Sequence, residues 1–426
     1  MKQYASMTHE EQKAEYDRLL NEYRAVCDQQ LSLDMSRGKP SNEQLELSMP
    51  MLDVLHGQHD MRAEGGVDIR NYGQLDGIPE VKRIFADLLE VDSDNIMVGG
   101  NSSLNMMFDC INWAEALGIM GCTPWAKLDK VKFLCPVPGY DRHFSICELF
   151  GIEMINIPMK EDGPDMDLVR EYVEHDDSVK GIWCVPKYSN PTGVTYSDDV
   201  VRAFAALKPA AKDFRIFWDN AYCVHHLSDT PDQLLNIFTA CKEQGSEDLV
   251  YEFTSSSKIS FSGAGIAVVA ASKANMADLK SKRTIQTIGP NKVVQLMHAR
   301  YFVDADGIRN HMKKHRALIE PKFNVVLNTF DKELSGLDIA TYTRPNGGYF
   351  ISFDTMPGCA SRVGELCKQA GVVLTTVGAT FPYGKDPEDK NIRVAPTFPS
   401  IDELSQAVTL FCLCVKMASL EKLMNA

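Results

Sequence analysis

The chain has 426 residues, of which 44% are hydrophobic and 24% charged, a composition that fills sizeable cores and excludes disordered, collagenous and disulfide-miniprotein classes. Its 44 Lys and Arg against 58 Asp and Glu leave a formal charge of −14, which repels nucleic acid and anionic membrane surfaces. Twelve scattered cysteines form no Cys-x-x-Cys pair and follow no leader segment, and no apolar run reaches the ~20 residues of a membrane span, so a soluble cytoplasmic protein with reduced thiols is expected.

In chain order, Thr8-His9-Glu10-Glu11 has the spacing of a capping box and predicts an opening helix, with Leu19, Leu20, Tyr23 and Val26 on its apolar stripe. Gly38 and Pro40 then forbid helix and leave Ser36 to Pro40 as an irregular basic loop. Gly99-Gly100-Asn101-Ser102-Ser103 precedes an amphipathic helix carrying Leu104, Met107, Phe108 and Ile111. Its backbone N–H groups and the Ser102 hydroxyl are therefore placed to meet an anion at a helix N-terminus.

Short apolar runs at 131–135, 154–157, 181–185, 214–218, 249–253 and 266–270 alternate with helical stretches. That order predicts a largely parallel sheet with crossover helices, whose ligand sits at the carboxyl ends of the strands. After about residue 310 a long helix, runs at 349–353, 372–375 and 391–395, and a final helix opened by Ser400-Ile401-Asp402-Glu403 predict a smaller α+β domain. The expected division is 1–50, an N-terminal helix and loop joining the small domain; 51–305, the large domain; and 306–426, the small domain. The turn Arg344 to Phe350 reads as structural.

Four loops follow predicted strands: Pro138-Gly139-Tyr140-Asp141, Ser189-Asn190-Pro191-Thr192-Gly193, Trp218-Asp219-Asn220-Ala221-Tyr222 and Ser255-Ser256-Ser257-Lys258. Singly, a strand-end Asp is a cap, Asn-Pro-Thr-Gly is a turn and a lysine among serines is a solvated charge. Jointly they bring a carboxylate, an amide, a phenol, an aromatic ring and an amine to neighbouring strand ends, a nest for a polar heteroaromatic cofactor. Cys412-Leu413-Cys414 has no metal-ligand partners, so no metal is expected, and Gly-rich dinucleotide fingerprints are absent.

With Ser36-Arg37-Gly38-Lys39-Pro40, Gly99 to Leu104 and Ser255 to Phe261, these segments resemble the fold-type I pyridoxal-phosphate enzymes of the class I/II aminotransferases over nearly the whole chain. The bacterial aspartate aminotransferase subgroup is the nearest likeness. The resemblance implies an α/β fold: a large cofactor-binding domain with a mixed, mostly parallel seven-stranded sheet flanked by helices, plus a smaller α+β domain. It also implies pyridoxal 5'-phosphate, a homodimer with shared sites, and amino transfer from an L-amino acid, most simply L-aspartate, to 2-oxoglutarate. Aromatic or alanine-type aminotransferases, and β-lyases or decarboxylases, share the cofactor residues. A non-catalytic cofactor-sensing module lacks support, because no basic DNA-binding extension is present.

By that resemblance Lys258 holds the cofactor and moves the proton, Asp219 pairs with the ring nitrogen, and Tyr222 and Asn190 donate to its phenolate oxygen. Tyr140 stacks on the ring, with Phe144 as the alternative register. Gly100, Asn101, Ser102, Ser255 and Ser257 surround the phosphate, and Tyr72 reaches it from the second subunit. Arg393 forks the substrate α-carboxylate, over which the Gly38 loop closes. Relatives carry a phosphate-clamping arginine a few residues beyond the lysine, where this chain has Ile266, so Ser260, Ser262 or the second subunit is expected to substitute. A cation for a distal substrate carboxylate has no secure counterpart; Arg283 aligns only approximately, and Arg37, Lys39, Arg142, Lys187 and Lys292 are further candidates.

Overall fold

Thr8 and Glu11 exchange the two bonds of the capping box, at 3.2 and 2.7 Å, and open the helix His9–Cys27 in the computed structural model, which describes residues 2–56 and 60–425. Ser400 and Glu403 do the same for Ile401–Met424. These two helices pack on each other, and the second also packs on the long helix Ala305–Leu334.

The large sheet has eight strands in the order Ile96–Val98, Ala267–Ala271, Val250–Ser255, Arg215–Asp219, Val179–Cys184, Lys132–Val137, Glu153–Lys160 and Gly163–Pro164. From Val250–Ser255 to Glu153–Lys160 all neighbours are parallel. The expected count was seven. The eighth strand is a two-residue edge that folds back antiparallel on Glu153–Lys160 around a positive-φ Gly163, too short to carry any alternation in sequence.

Burial on both faces explains the unbroken apolar runs of the central strands. Leu134, Ile182, Ile216, Trp218 and Val250 enter one core, whereas Phe133, Trp183, Phe217, Tyr251 and Phe253 enter another on the opposite face. A third core gathers Leu19, Tyr23, Phe330, Phe353, Leu404 and Phe411 around the three-stranded antiparallel sheet of Ala340–Tyr342, Ile351–Thr355 and Asn391–Val394. The N-terminal strand Leu33–Asp34 joins this part of the molecule by pairing in parallel with Val372–Val373. The helix Ala305–Leu334 is shared: Ile308 and Met312 enter the first core, and Ile319 to Leu334 the third. No described helix is long and apolar enough to cross a membrane.

Candidate active site

At the carboxyl ends of the parallel strands lies a cavity of about 130 Å³. Five of the residues expected at the site, Tyr140, Asn190, Asp219, Tyr222 and Lys258, line it. Ser102, Ser255, Ser257 and Gly38 line it as well. Tyr140, and not Phe144, faces the cavity; Phe144 is buried in the core behind it. Gly100, Asn101, Arg393 and Tyr72 lie outside its wall.

Asp219 ends its strand in the interior. Its Oδ2 is 3.1 Å from His143 Nε2, and its Oδ1 is buried without any hydrogen-bond partner. His143 sits in the first turn of the helix Asp141–Phe150 and stacks on Trp183, with ring centroids 4.4 Å apart and planes 11° from parallel. Nothing in the sequence pattern singled out His143. The available signal was that a buried carboxylate requires a partner, and this histidine lies one helical turn beyond Tyr140.

The Lys258 amine lies 5.1 Å from the Tyr222 ring centroid and 5.9 Å from that of Tyr349. Burial draws its pKa below the ordinary lysine value, partly opposed by the charge of Asp219. Burial likewise raises the Tyr222 and Tyr140 hydroxyls well above an ordinary phenol. The enclosure therefore favours a neutral amine and neutral phenols around one carboxylate.

Ser102 is the N-cap of the helix Ser103–Leu117, yet its hydroxyl makes no capping bond and faces the cavity. The serine loop is tied to this helix start. The Ser257 hydroxyl donates to the Asn101 carbonyl, the Asn101 amide donates to the Ser262 carbonyl at 2.9 Å, and Ser255 Oγ lies 3.1 Å from Ser257 Oγ. The Gly100 carbonyl accepts from Ala267 N–H at 2.7 Å, which anchors the loop to the sheet. Ser260 departs from expectation: it is fully buried with its hydroxyl 2.7 Å from His298 Nε2, and it does not reach the cavity as a substitute for the absent arginine. The Ser262 hydroxyl donates to the Ser257 carbonyl at 2.8 Å.

Arg393 is 8% exposed and stands at the rim. Its Nη1 is 2.8 Å from Asp141 Oδ1 and 3.3 Å from Asn190 Oδ1, and its guanidinium carbon is 4.9 Å from the Phe350 ring centroid. Gly38 packs so tightly on that ring that a Cβ there would lie 2.2 Å from Phe350 Cζ. Asp141 and Phe350 thus belong to the site, although the segment containing Phe350 read as a structural turn.

Apart from Lys258, no cation among the described residues lines the cavity. Lys187 lines a different one. The Lys292 amine donates to the Gly73 carbonyl at 3.1 Å, Lys39 lies over the Phe398 ring at 3.7 Å, and Arg283 is buried near Asp109 and Asp76. Arg37 and Arg142, beside Gly38 and Asp141, are exposed and form no ion pair among the described residues. Tyr72 is 82% exposed and reaches no other site residue of its own chain.

The sequence profile described as aspartate amino-transferase matches residues 7–426. An aspartate aminotransferase of Corynebacterium glutamicum is 47% identical over 418 residues, which cover 98% of this chain and 95% of that one. The crystal structure of an aspartate transaminase from the same organism superposes with a TM-score of 0.96 at 45% identity, covering 99% of each chain. A Thermus thermophilus α-aminoadipate aminotransferase, solved with N-(5'-phosphopyridoxyl)-L-leucine, shares the fold at 17% identity and a TM-score of 0.72, covering 96% of this chain and 95% of that one. The chain therefore belongs to the aspartate aminotransferase family and is a transaminase.

Proposed function

We propose that the enzyme binds pyridoxal 5'-phosphate in this cavity and moves the amino group of L-aspartate to 2-oxoglutarate in two half-reactions. The observation that carries the reading is the buried, partnerless Oδ1 of Asp219 beside a neutral-leaning lysine amine. A buried carboxylate oxygen lacking a donor costs about 1–3 kcal/mol, and a protonated ring nitrogen is the donor that would offset it. When bound, the cofactor supplies an electron sink for the charge left when the substrate Cα loses its proton.

The protein's own groups fill the remaining roles. Asp219, oriented by His143, holds the ring nitrogen protonated. Lys258, whose pKa burial lowers, moves the proton at Cα. Asn190 and Tyr222 donate toward the phenolate oxygen, and Tyr140 stacks on the ring. The N-terminus of Ser103–Leu117, with Gly100, Asn101, Ser102, Ser255 and Ser257, receives the phosphate without an arginine. Arg393 forks the α-carboxylate under the Gly38 loop, with the Phe350 ring packed against the guanidinium. Arg37 and Arg142, next in sequence to Gly38 and Asp141 and without an ion pair among the described residues, are the candidates for a distal carboxylate.

The exposed Tyr72, Ile285, Ile288 and Val293 support a homodimer interface. Lys292 ties the segment carrying the last three to the Tyr72-Gly73 loop. In that dimer Tyr72 reaches the partner's phosphate. The division at 50 and 305 places most of the first two cores in the large domain and most of the third in the small one, while Ile308, Met312 and Phe381 cross in one direction and Val185, Tyr188, Tyr222 and Leu227 in the other.

The test is a panel of L-amino acids, each scored for conversion of the bound cofactor to its amine form and for its keto acid. Aspartate yielding oxaloacetate, with recovery by 2-oxoglutarate, is the expected result. Turnover confined to alanine or aromatic substrates would replace the substrate assignment. Release of ammonia or carbon dioxide without a keto acid would replace the reaction class.

A further inference from the structure

A second cavity, of about 320 Å³, lies beyond the same strand ends on the other face of the sheet. Side chains alternate along Val250–Ser255, so Glu252 and Ser255 leave the strand on opposite faces. Glu252 is in register with Trp218, and Trp218 with Cys184, while Asn220 and Lys187 follow just beyond those positions. Three neighbouring strands and the loops that follow them therefore deliver Glu252, Asn220 and Lys187 to one space.

These three are only 3, 7 and 9% exposed, and their polar groups are underused. The Asn220 amide donates to Glu252 Oε1 at 2.9 Å, but Glu252 Oε2 and Asn220 Oδ1 are buried without partners. Lys187 makes no hydrogen bond or ion pair among the described residues; its amine lies 5.6 Å from the Tyr188 ring centroid. Leu88, Leu234 and Leu235 supply an aliphatic wall. Unmatched acceptors together with an unmatched cationic donor, beside an apolar wall, are complementary to a zwitterion carrying a hydrocarbon side chain.

We propose that this cavity is a second binding site, for an L-α-amino acid with an aliphatic side chain. The ligand's ammonium meets Glu252 Oε2 and Asn220 Oδ1, its carboxylate meets Lys187, and its side chain lies against Leu88, Leu234 and Leu235. Burial pushes the Glu252 carboxyl up to about 8 and draws the Lys187 amine below its ordinary value, the latter against the opposing charges of Asp232 and Glu90, neither of which forms an ion pair with it among the described residues. Entry is through an adjoining groove of about 490 Å³ that shares Val224, His226, Pro231 and Arg309 with the cavity. The two sites meet along one segment: Asp219 and Tyr222 line the first cavity, Asn220 and Cys223 the second. A ligand in the second is thus placed to act on the geometry of the first.

The test is isothermal titration of the purified holoenzyme with L-isoleucine. Saturable binding at one site per chain is expected, weakened at least tenfold in Glu252→Gln and in Lys187→Met and unchanged in Arg393→Ala, with melting temperatures confirming that each variant is folded. On the wild-type protein, 3-methylpentanoate, which lacks the ammonium, and isoleucinamide, which lacks the carboxylate, should each bind at least tenfold more weakly. The two analogues make the test independent of how the variants fold. Absence of saturable heat, equal affinity for the analogues, or loss of binding in Arg393→Ala alone would overturn the proposal.

Discussion

His143 Nε2 lies 3.1 Å from one oxygen of Asp219, while the other oxygen is buried with no donor among the described residues. The chain thus fixes the orientation of this carboxylate and leaves its second oxygen for a ligand. Asp219→Asn keeps the shape and removes the charge, so kcat should fall by at least about 100-fold, with a smaller loss, about tenfold, in His143→Asn. Steady-state kinetics on both variants measure this; an unchanged kcat in Asp219→Asn would reduce the residue to a strand cap.

The Lys258 amine lies 5.1 Å from the Tyr222 ring centroid and burial lowers its pKa, so both its place and its loss of charge matter. Lys258→Ala should lose roughly 10⁴-fold or more in kcat, and Lys258→Arg should be equally inactive, because a guanidinium is not deprotonated in proteins. Single-turnover mixing with aspartate separates the outcomes. Substantial activity in the Arg variant would show that a positive charge alone is needed there.

Arg393 pairs with Asp141 at 2.8 Å. Arg393→Lys removes the fork and should raise KM for both the amino and the keto acid by about 10- to 100-fold, the equivalent of 1.5–3 kcal/mol. Asp141→Asn removes a competing anion and should lower KM a few-fold. Gly38→Ala drives a Cβ into the Phe350 ring and should raise KM, because that ring supports the guanidinium. A KM left unmoved across all three variants would place carboxylate binding elsewhere.

Glu252 gives a pH-dependent stability of definite sign. Burial, only partly offset by the Asn220 bond, pushes its carboxyl up from 4.5 to about 8, so between these values the folded chain holds a proton that the unfolded chain has released. The native state is therefore favoured at the acidic end of that window, and the contribution is lost as pH rises through about 8. Glu252→Gln does not titrate. Its melting temperature relative to wild type should climb from pH 5 to pH 8, and a flat difference would mean that the carboxyl is ionised throughout.

Where local chemistry decides, the sequence was legible. Capping boxes at Thr8 and Ser400 mark their helices because the reciprocal bonds span only three residues. Runs buried on both faces mark the central strands, and Tyr140, Asn190, Asp219, Tyr222 and Lys258, at or just after strand ends, line one cavity. What escaped depends on distant partners. Ile96–Val98, Ala340–Tyr342 and Gly163–Pro164 are too short to show a period and exist only through pairing. His143, Phe350 and Asp141 acquire their roles from Asp219 and Arg393, which are far away in the chain. Ser260 sits in the expected loop but rotates toward His298, a neighbour contributed by another helix.

The pairing of Leu33–Asp34 with Val372–Val373 has a mechanical consequence. The loop bearing Gly38 is pinned on either side: Thr375 Oγ1 donates to the Ser36 carbonyl at 2.8 Å and Thr397 Oγ1 to the Lys39 carbonyl at 3.1 Å. Arg393, four residues before Thr397, lies on a strand of the same part of the molecule. Gly38 and Arg393 come from opposite ends of the chain yet form one jaw, and Lys258 and Asp219, rooted in the large sheet, form the other. The Arg393 bonds to Asp141 and Asn190 bridge the two, so the first jaw is tied to the second at the mouth of the cavity.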